Sequence, residues 1–232
     1  MTVSVVIPIH NEEGILRGAI TELVANLRSV EAAFEVLLAE NGSWDGTLAV
    51  ADSLASEFEE VSVFSVAEPN YGAALREGIL LARGLFVICE EIDLCDLDFH
   101  RRALALLRQD AADIVVGSKR AASSHDRRPL GRRLATRVYN ELLHRTLGFT
   151  GTDTHGLKVL RRDRVLPVLE RCVVDGDVFA SELLIRGDRM GLRVIELPVD
   201  IAEKRPPSTH LLRRVPSVLI RLARLSRALR ET

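Results

Sequence analysis

The stretch Leu85–Asp98, LFVICEEIDLCDLD, decides the reading of the chain. Leu85 to Cys89 has the length and β-branched content of a buried strand, and the run then breaks into five carboxylates within nine residues, Glu90, Glu91, Asp93, Asp96 and Asp98. Carboxylates crowded at a strand end repel one another, and a divalent cation among them relieves that repulsion. The carboxyl edge of an open α/β sheet is also where such folds bind ligands. Glu91 and Asp93, one residue apart directly after the strand, are therefore the expected metal ligands. Glu90, Asp96 and Asp98 read as solvated loop charges, with Asp96 or Asp98 capping a helix that begins near Phe99.

Outward from this stretch, strands alternate with helices. Upstream, Val3 to Ile9 is an apolar run closed by Pro8, His10 and Asn11, and Ile15, Ala19, Leu23 and Leu27 follow at helical spacing. Phe34 to Ala39 is a second strand, ending in a turn from Glu40 to Gly46 whose Asp45 is placed to cap a helix through Leu54. Val61 to Val66 is a third, followed by a helix from Ala73 to Ala82. Downstream, helices are expected over Phe99 to Leu107, about Gly131 to Leu147, and Val178 to Gly187. Strands are expected over Asp113 to Val116, Leu157 to Leu160, and Leu192 to Val199. Residues 121–130, AASSHDRRPL, read as a mobile loop. The alternation predicts an α/β fold, a mostly parallel central sheet with helices on both faces and a nucleotide pocket at its C-terminal edge. The first turn carries no GxGxxG fingerprint and the chain no GxxxxGK[ST] loop, which makes dehydrogenases and P-loop NTPases poor candidates.

With 232 residues, 47% hydrophobic and 28% charged, the chain suits one large α/β domain with a short appendage. Cys89, Cys95 and Cys172 form no CxxC pair, which suits a reducing compartment. The N-terminus lacks a signal-peptide pattern, and no apolar run approaches the roughly 18 to 20 residues of a membrane span. Charge is uneven. From Glu203 onward, eight Lys or Arg stand against two Glu, a local +6, so the first 202 residues carry -8 of the net -2. A second basic cluster, Lys119, Arg120, Arg127, Arg128, Arg132, Arg133 and Arg137, surrounds the 121–130 loop. Both features favour an anionic partner. With aromatics at 4% and no stacking pattern, that partner is not expected to be nucleic acid.

The loops in order, PIHNEE, ENGSWDGT, NYGAALREGI, EEIDL, DIVVGSKR, DTHGLKVLRR, FASELLIRG and VIELPV, resemble the family 2 glycosyltransferases of GT-A fold. They are most similar to the branch of dolichol-phosphate mannose synthase and the polyprenyl-phosphate sugar transferases. The resemblance covers about residues 3 to 210 and implies a GT-A domain over 1–210. It implies a nucleotide-diphosphate sugar donor, GDP-mannose or a UDP-hexose, with Pro8, His10, Asn11, Glu12, Glu40, Asn41 and Asn70 lining its site. Glu40 and Asn41 stand where the family usually has two aspartates. Glu91 and Asp93 occupy the acidic DxD positions, here ExD, and would hold Mg2+ or Mn2+ against the diphosphate. Lys119, Arg120, Arg205 and Ser208 fall at phosphate or acceptor positions. Asp153 and Glu182 match acidic positions near the acceptor, where one of them would take the proton of a hydroxyl acceptor. Glu182 could equally be a surface charge beside a leucine pair.

Residues 211–232 read as a basic amphipathic helix. Val215, Val218, Leu219, Leu222, Leu225 and Leu229 share one face and Arg221, Arg224, Arg227 and Arg230 the other. The helix is either docked on the domain or lying on an anionic membrane surface. The expected activity is a metal-dependent inverting transfer to a polyprenyl phosphate by a cytoplasmic protein, peripheral on the inner membrane face. The alternatives are transfer to a soluble phosphorylated or glycan acceptor, and a catalytically silent nucleotide-sugar binding protein.

Overall fold

The computed structural model describes residues 1–66, 68–118, 130–149, 151, 154, 157–199, 220 and 222–230, with the backbone alone at 130–136 and 177. Its strands are Val3–Ile9 (β1), Phe34–Glu40 (β2), Val61–Ser65 (β3), Phe86–Cys89 (β4), Ile114–Ser118 (β5), Lys158–Arg161 (β6) and Val194–Pro198 (β7). Its helices are Glu13–Val30 (α1), Thr47–Glu57 (α2), Tyr71–Leu81 (α3), Leu97–Arg108 (α4), Leu130–Leu147 (α5), Arg162–Leu169 (α6) and Phe179–Arg189 (α7), with a single 3-10 turn at Gly176–Val178. The strands form one sheet in the order β3-β2-β1-β4-β6-β5-β7.

Side-chain alternation along the central strands builds two cores. Val3, Val5, Ile7 and Ile9 of β1, with Phe86 and Ile88 of β4, face one side. There they meet the buried stripes of α1 (Leu16, Ile20, Leu23, Leu27), α2 (Ala51, Leu54) and α4 (Phe99, Ala103, Leu104, Leu107). Val6, Val87 and Cys89 face the other side, against α3, α6 and α7 through Leu75, Ile79, Val165, Val168, Phe179 and Leu183. Strands buried on both faces read as continuous apolar runs, which is why β1, β2 and β4 are visible in the sequence.

All pairings are parallel except those of β6, which runs antiparallel to both β4 and β5. The expected mostly parallel sheet with helices on both faces is what forms. Helix α6 lies where no element is expected, because Pro167 interrupts an eight-residue segment whose buried positions, Val165, Val168 and Leu169, nonetheless keep helical spacing. The strand expected from Asp113 starts at Ile114. Asp113 instead accepts hydrogen bonds from the Arg193 backbone N–H at 2.9 Å and from the Arg193 guanidinium, joining the starts of β5 and β7.

Residues 222–228 are helical, and Leu222, Leu225 and Leu229 are buried in the second core. Arg186 and Arg189 of α7 donate to the carbonyl oxygens of Ala228 and Leu229 at 3.1 and 2.9 Å. Of the two fates open to the tail, these three leucines take docking. Arg224, Arg227 and Arg230 remain exposed. No helix among the described residues is long and apolar enough to cross a membrane.

Candidate active site

The strand order reverses between β1 and β4: β2 and β3 extend one side of β1, and β4 begins the other. Such a switch point opens a crevice at the carboxyl ends of its two strands. Unequal pairing deepens it here. Strand β1 pairs with β2 from Val3↔Phe34 to Ile9↔Glu40, but with β4 only from Val3↔Phe86 to Val6↔Cys89. One more ladder bond, Glu90 N–H to Val6 O at 3.0 Å, closes the β4 side. Backbone groups of a parallel strand alternate sides, so Pro8, two residues on from Val6, points its missing N–H past the end of β4. A proline in a central strand therefore forfeits no ladder bond here.

A cleft of about 360 Å3 lies at this point, lined by Pro8 near the end of β1, His10 and Glu12 after it, Asn41 after β2, Tyr71 of α3, Glu91, Ile92 and Asp93 after β4, and Ala180 of α7. Six of the residues expected at the donor and metal sites thus face one space. Ile92 is the anchor of its acidic turn, buried in the first core with Phe99 while Glu91 and Asp93 flank it at the cleft. Leu94 N–H closes the turn on Glu91 O at 2.9 Å. Cys95 adopts a left-handed φ of 44°, and Asp96 then caps α4 by accepting from Phe99 N–H at 2.9 Å. Asp98 is exposed and pairs with Arg101 and Arg102.

Glu90 corrects the sequence reading, which took it for a solvated charge. Its side chain is 0% exposed, and it bonds His100 of α4, itself 3% exposed. The reason is register. The Glu90 N–H still belongs to the ladder, so strand alternation carries its side chain to the face of Phe86 and Ile88, which α4 covers.

Three residues expected at the donor site hold the loops that shape it. Asn11, at a left-handed φ of 57° that asparagine tolerates, accepts from Trp44 N–H at 3.0 Å through its Oδ1 and donates its own N–H to Ser43 Oγ at 3.0 Å. Its amide nitrogen, fixed by that acceptor role, donates to His10 Nε2 at 3.1 Å, and His10 Nδ1 lies 2.8 Å from Asn41 O. Because a carbonyl only accepts, His10 carries its proton on Nδ1. Trp44, 81% exposed, meets the His10 ring edge-on at 5.0 Å. Glu40 is buried and its carboxylate turns into its own loop, accepting from Ser43 N–H at 2.6 Å. Burial alone would raise its pKa, but the hydrogen bonds from Ser43, Gly42 and Ser65 hold it below the ordinary carboxylate value. Asn70 caps α3 through Ala73 N–H at 3.0 Å and also accepts from Gly176 N–H at 2.8 Å, while Asn41 Oδ1 accepts from Asn70 N–H. Asn41 thereby turns its oxygen to the backbone, which leaves its amide NH2 as the group available to the cleft.

Glu182 is fully buried on α7, so it is not a surface charge. Its Oε2 accepts from Val173 and Val174 N–H at 2.9 and 2.8 Å, and its Oε1 from Arg186 Nε at 2.8 Å. Lys119, Arg120, Asp153, Arg205 and Ser208 lie outside the described residues, as does the expected loop 121–130 except for Leu130, which begins α5. Sequence reasoning missed Tyr71, Ile92 and Ala180. Tyr71 directly follows the helix cap Asn70, and an aromatic at the mouth of a helix start was a usable signal. Ala180 carried none.

As metal donors, Glu91 and Asp93 offer two carboxylates, and among the described residues no cluster of three His, Cys, Asp or Glu could enclose an ion. Two hard oxygen ligands on an open cleft fit a divalent cation whose remaining positions are filled by substrate oxygens and water.

Residues 4–168 match the family described as glycosyl transferase family 2. The chain belongs to that family. Among curated relatives of this glycosyltransferase family, it is 31% identical over 217 residues to glycosyltransferase AglD of Haloferax volcanii, covering 91% of this chain and 35% of that protein. It is 26% identical to dolichyl-phosphate beta-glucosyltransferase ALG5A of Trichomonas vaginalis (85% and 64%), and 29% identical to the undecaprenyl-phosphate 4-deoxy-4-formamido-L-arabinose transferase of Pectobacterium atrosepticum (73% and 51%). The chain thus spans less than two thirds of the length of each. Among solved structures, glucosyl-3-phosphoglycerate synthase of Mycobacterium tuberculosis, in complex with Mn2+, UDP and glucosyl-3-phosphoglycerate, superposes with a TM-score of 0.70 at 20% identity, over 97% of this chain and 80% of that one. The GT-A fold is shared.

Proposed function

We propose that this chain is a metal-dependent inverting glycosyltransferase that moves a hexose from a nucleotide-diphosphate sugar to a polyprenyl phosphate at a membrane surface. The observation that carries the reading is the cleft at the β1/β4 switch point, where Pro8, His10, Glu12 and Asn41 share one space with Glu91 and Asp93. Two relatives bear the names of dolichyl-phosphate and undecaprenyl-phosphate transferases, and a solved neighbour was crystallised with Mn2+ and UDP, which supports both substrate classes.

In this reading the nucleoside lies across the ends of β1 and β2. The Asn41 amide donates to a carbonyl of the base, and His10, locked by Asn11 and Asn41 O, lines the approach. Glu91 and Asp93 hold Mg2+ or Mn2+, which when bound offsets the charge developing on the departing nucleoside diphosphate. Orienting donor and acceptor supplies most of the remaining rate enhancement. A lipid phosphate is already anionic and attacks the anomeric carbon without a strong base. Lys119, Arg120, Arg205 and Ser208 are assigned to the phosphates, and Asp153 to the acceptor side. Exposed Arg224, Arg227 and Arg230 would approach an anionic inner membrane face electrostatically, since the leucines of that helix are already buried.

The test is donor binding and turnover by the purified chain with UDP-glucose, GDP-mannose and UDP-GlcNAc, with and without Mn2+, using undecaprenyl or dolichyl phosphate in vesicles as acceptor. Metal-dependent binding of one donor and transfer to the lipid phosphate is the expected result. Transfer only to soluble acceptors refutes the lipid assignment, and binding without turnover on any acceptor favours a silent binding protein.

A further inference from the structure

The buried Glu90–His100 pair is unusual for its position: a carboxylate at the end of a core strand, on the apolar face of the sheet, met by a histidine in the apolar stripe of α4. Neither residue lines the cleft. Glu90 Oε2 bonds His100 Nε2, and its other oxygen, Oε1, accepts from the backbone N–H of Glu91 at 2.8 Å. The carboxylate thus grips the peptide that carries the first candidate metal ligand. His100 Nδ1 is buried without a hydrogen-bond partner among the described residues. Facing a carboxylate oxygen, Nε2 carries a proton and donates to Glu90. A carboxylate hydrogen-bonded at both oxygens thus sits in the protein interior, immediately before the Glu91–Asp93 turn.

Burying a charge is unfavourable unless it is hydrogen-bonded, and replacing such a pair by well-packed apolar side chains is often neutral or stabilising. Stability is therefore a weak reason for this arrangement. One other effect follows from the geometry. The bond to Glu91 N–H fixes the peptide at the point where the strand ends and the acidic turn begins, setting the position from which the Glu91 carboxylate enters the cleft. Residues that orient metal ligands from behind typically change metal affinity or activity 10- to 100-fold when altered.

We infer that Glu90, held by His100, is a positioning residue that fixes the Glu91–Asp93 turn and raises the affinity of the cleft for a divalent cation. The inference rests on the metal-dependent reading above, and the experiment separates the two. Mn2+ binding is titrated by the electron paramagnetic resonance signal of the free ion, with and without UDP or GDP, for the unaltered protein, Glu90→Gln, Asp93→Asn, and the double variant Glu90→Leu/His100→Leu. Glutamine has one acceptor oxygen, so it can serve Glu91 N–H only by turning its NH2 onto the His100 Nε2–H, which loosens the hold on that peptide at nearly unchanged side-chain shape. The leucine pair removes the whole device at conserved packing, so it remains informative if a single variant fails to fold.

The expected result is Mn2+ affinity lowered about 10- to 100-fold in Glu90→Gln and in the folded double variant. Turnover of Glu90→Gln should recover towards the unaltered kcat as Mn2+ is raised, with KM for the acceptor unchanged. A merely structural pair would instead shift the unfolding midpoint and leave Mn2+ affinity alone, which overturns the inference but not the transferase reading. No Mn2+ binding by the unaltered protein, or binding that persists in Asp93→Asn, overturns both.

Discussion

Glu182→Gln separates a structural from a chemical role for a carboxylate that sequence resemblance places near the acceptor. Its two oxygens accept three hydrogen bonds, from Val173 N–H, Val174 N–H and Arg186 Nε, all between 2.8 and 2.9 Å, and the ion pair has side chains 0% and 7% exposed. Glutamine has one acceptor oxygen. Placed towards the 173–174 backbone, it turns its NH2 onto the Arg186 guanidinium, donor against donor; placed the other way, it orphans the two N–H groups. Either arrangement loses a charge-assisted bond, about 1.5–3 kcal/mol, and removing one partner of a buried ion pair costs about 3–5 kcal/mol. Arg186 keeps its bond to Ala228 O, which sets the expectation at the lower end, about 3 kcal/mol. For a domain of this length that is a fall of roughly 6–12 °C in Tm. Urea unfolding followed by circular dichroism should show a lowered midpoint at unchanged slope, with turnover within a few-fold of the unaltered protein well below the transition. An unchanged midpoint with kcat down by about a hundredfold or more would refute the structural reading and make Glu182 a general base.

Asp93→Asn replaces a half-buried carboxylate lining the cleft by a side chain of the same shape, so unfolding should be unchanged within about 0.5 kcal/mol while metal-dependent turnover falls at least about a hundredfold; near-normal turnover would sink the metal assignment. Gly72→Ala sets a Cβ 2.5 Å from Gly176 O, 2.6 Å from Gly176 N and 2.7 Å from Phe179 Cβ, so the first turn of α3 must move away from α7, at a cost of about 1–3 kcal/mol readable as a lowered Tm. Acid should destabilise the fold through Glu35 and Asp113. Burial opposes ionisation of Glu35, but bonds from Ser4 and Arg83 prevail, and the Arg193 bonds lower Asp113, so both sit below their ordinary values. Groups lowered in the folded state stabilise it above their unfolded values near 4 and lose that contribution as pH falls through the folded ones, by at most about 1.4 kcal/mol per pH unit for each group. Unfolding free energy measured from pH 7 to pH 3 should drop below about pH 4, and Glu35→Gln should flatten that drop.

Much of the fold was legible because its central strands are buried on both faces. Val3–Ile9 and Phe34–Glu40 declare themselves as continuous apolar runs, and β4 is framed by the charges that follow it. The antiparallel direction of β6 was not legible, since Lys158–Arg161 is four residues long and its neighbours β4 and β5 are distant in sequence. Helix α6 was hidden by Pro167. At the site, motif order brought Pro8, His10, Glu12, Asn41, Glu91 and Asp93 to one cleft, because residues following parallel strands must emerge at the same edge. Position along a motif did not distinguish a side chain that faces the cleft from one that folds its own loop. Glu40 and Asn41 are adjacent in the same turn, yet Glu40 turns back to Ser43 while Asn41 lines the space.

The acidic run shows why composition could not resolve these fates and backbone geometry does. Five carboxylates of one chemistry fall to four environments within nine residues. Glu90 is the last residue under the period-two rule of the strand and is sent inward to α4. Glu91 and Asp93 belong to a turn pinned by Ile92 and reach the cleft on either side of that anchor. Asp96 satisfies the open N-terminus of α4, and Asp98, exposed in the first turn of that helix, is spent on Arg101 and Arg102. A metal site here therefore depends on where the β4 ladder stops, at Glu90 N–H on Val6 O, more than on how many acids follow it. One further residue of pairing would carry Glu91 to the opposite face of the sheet and leave a single carboxylate of the ExD pair at the cleft.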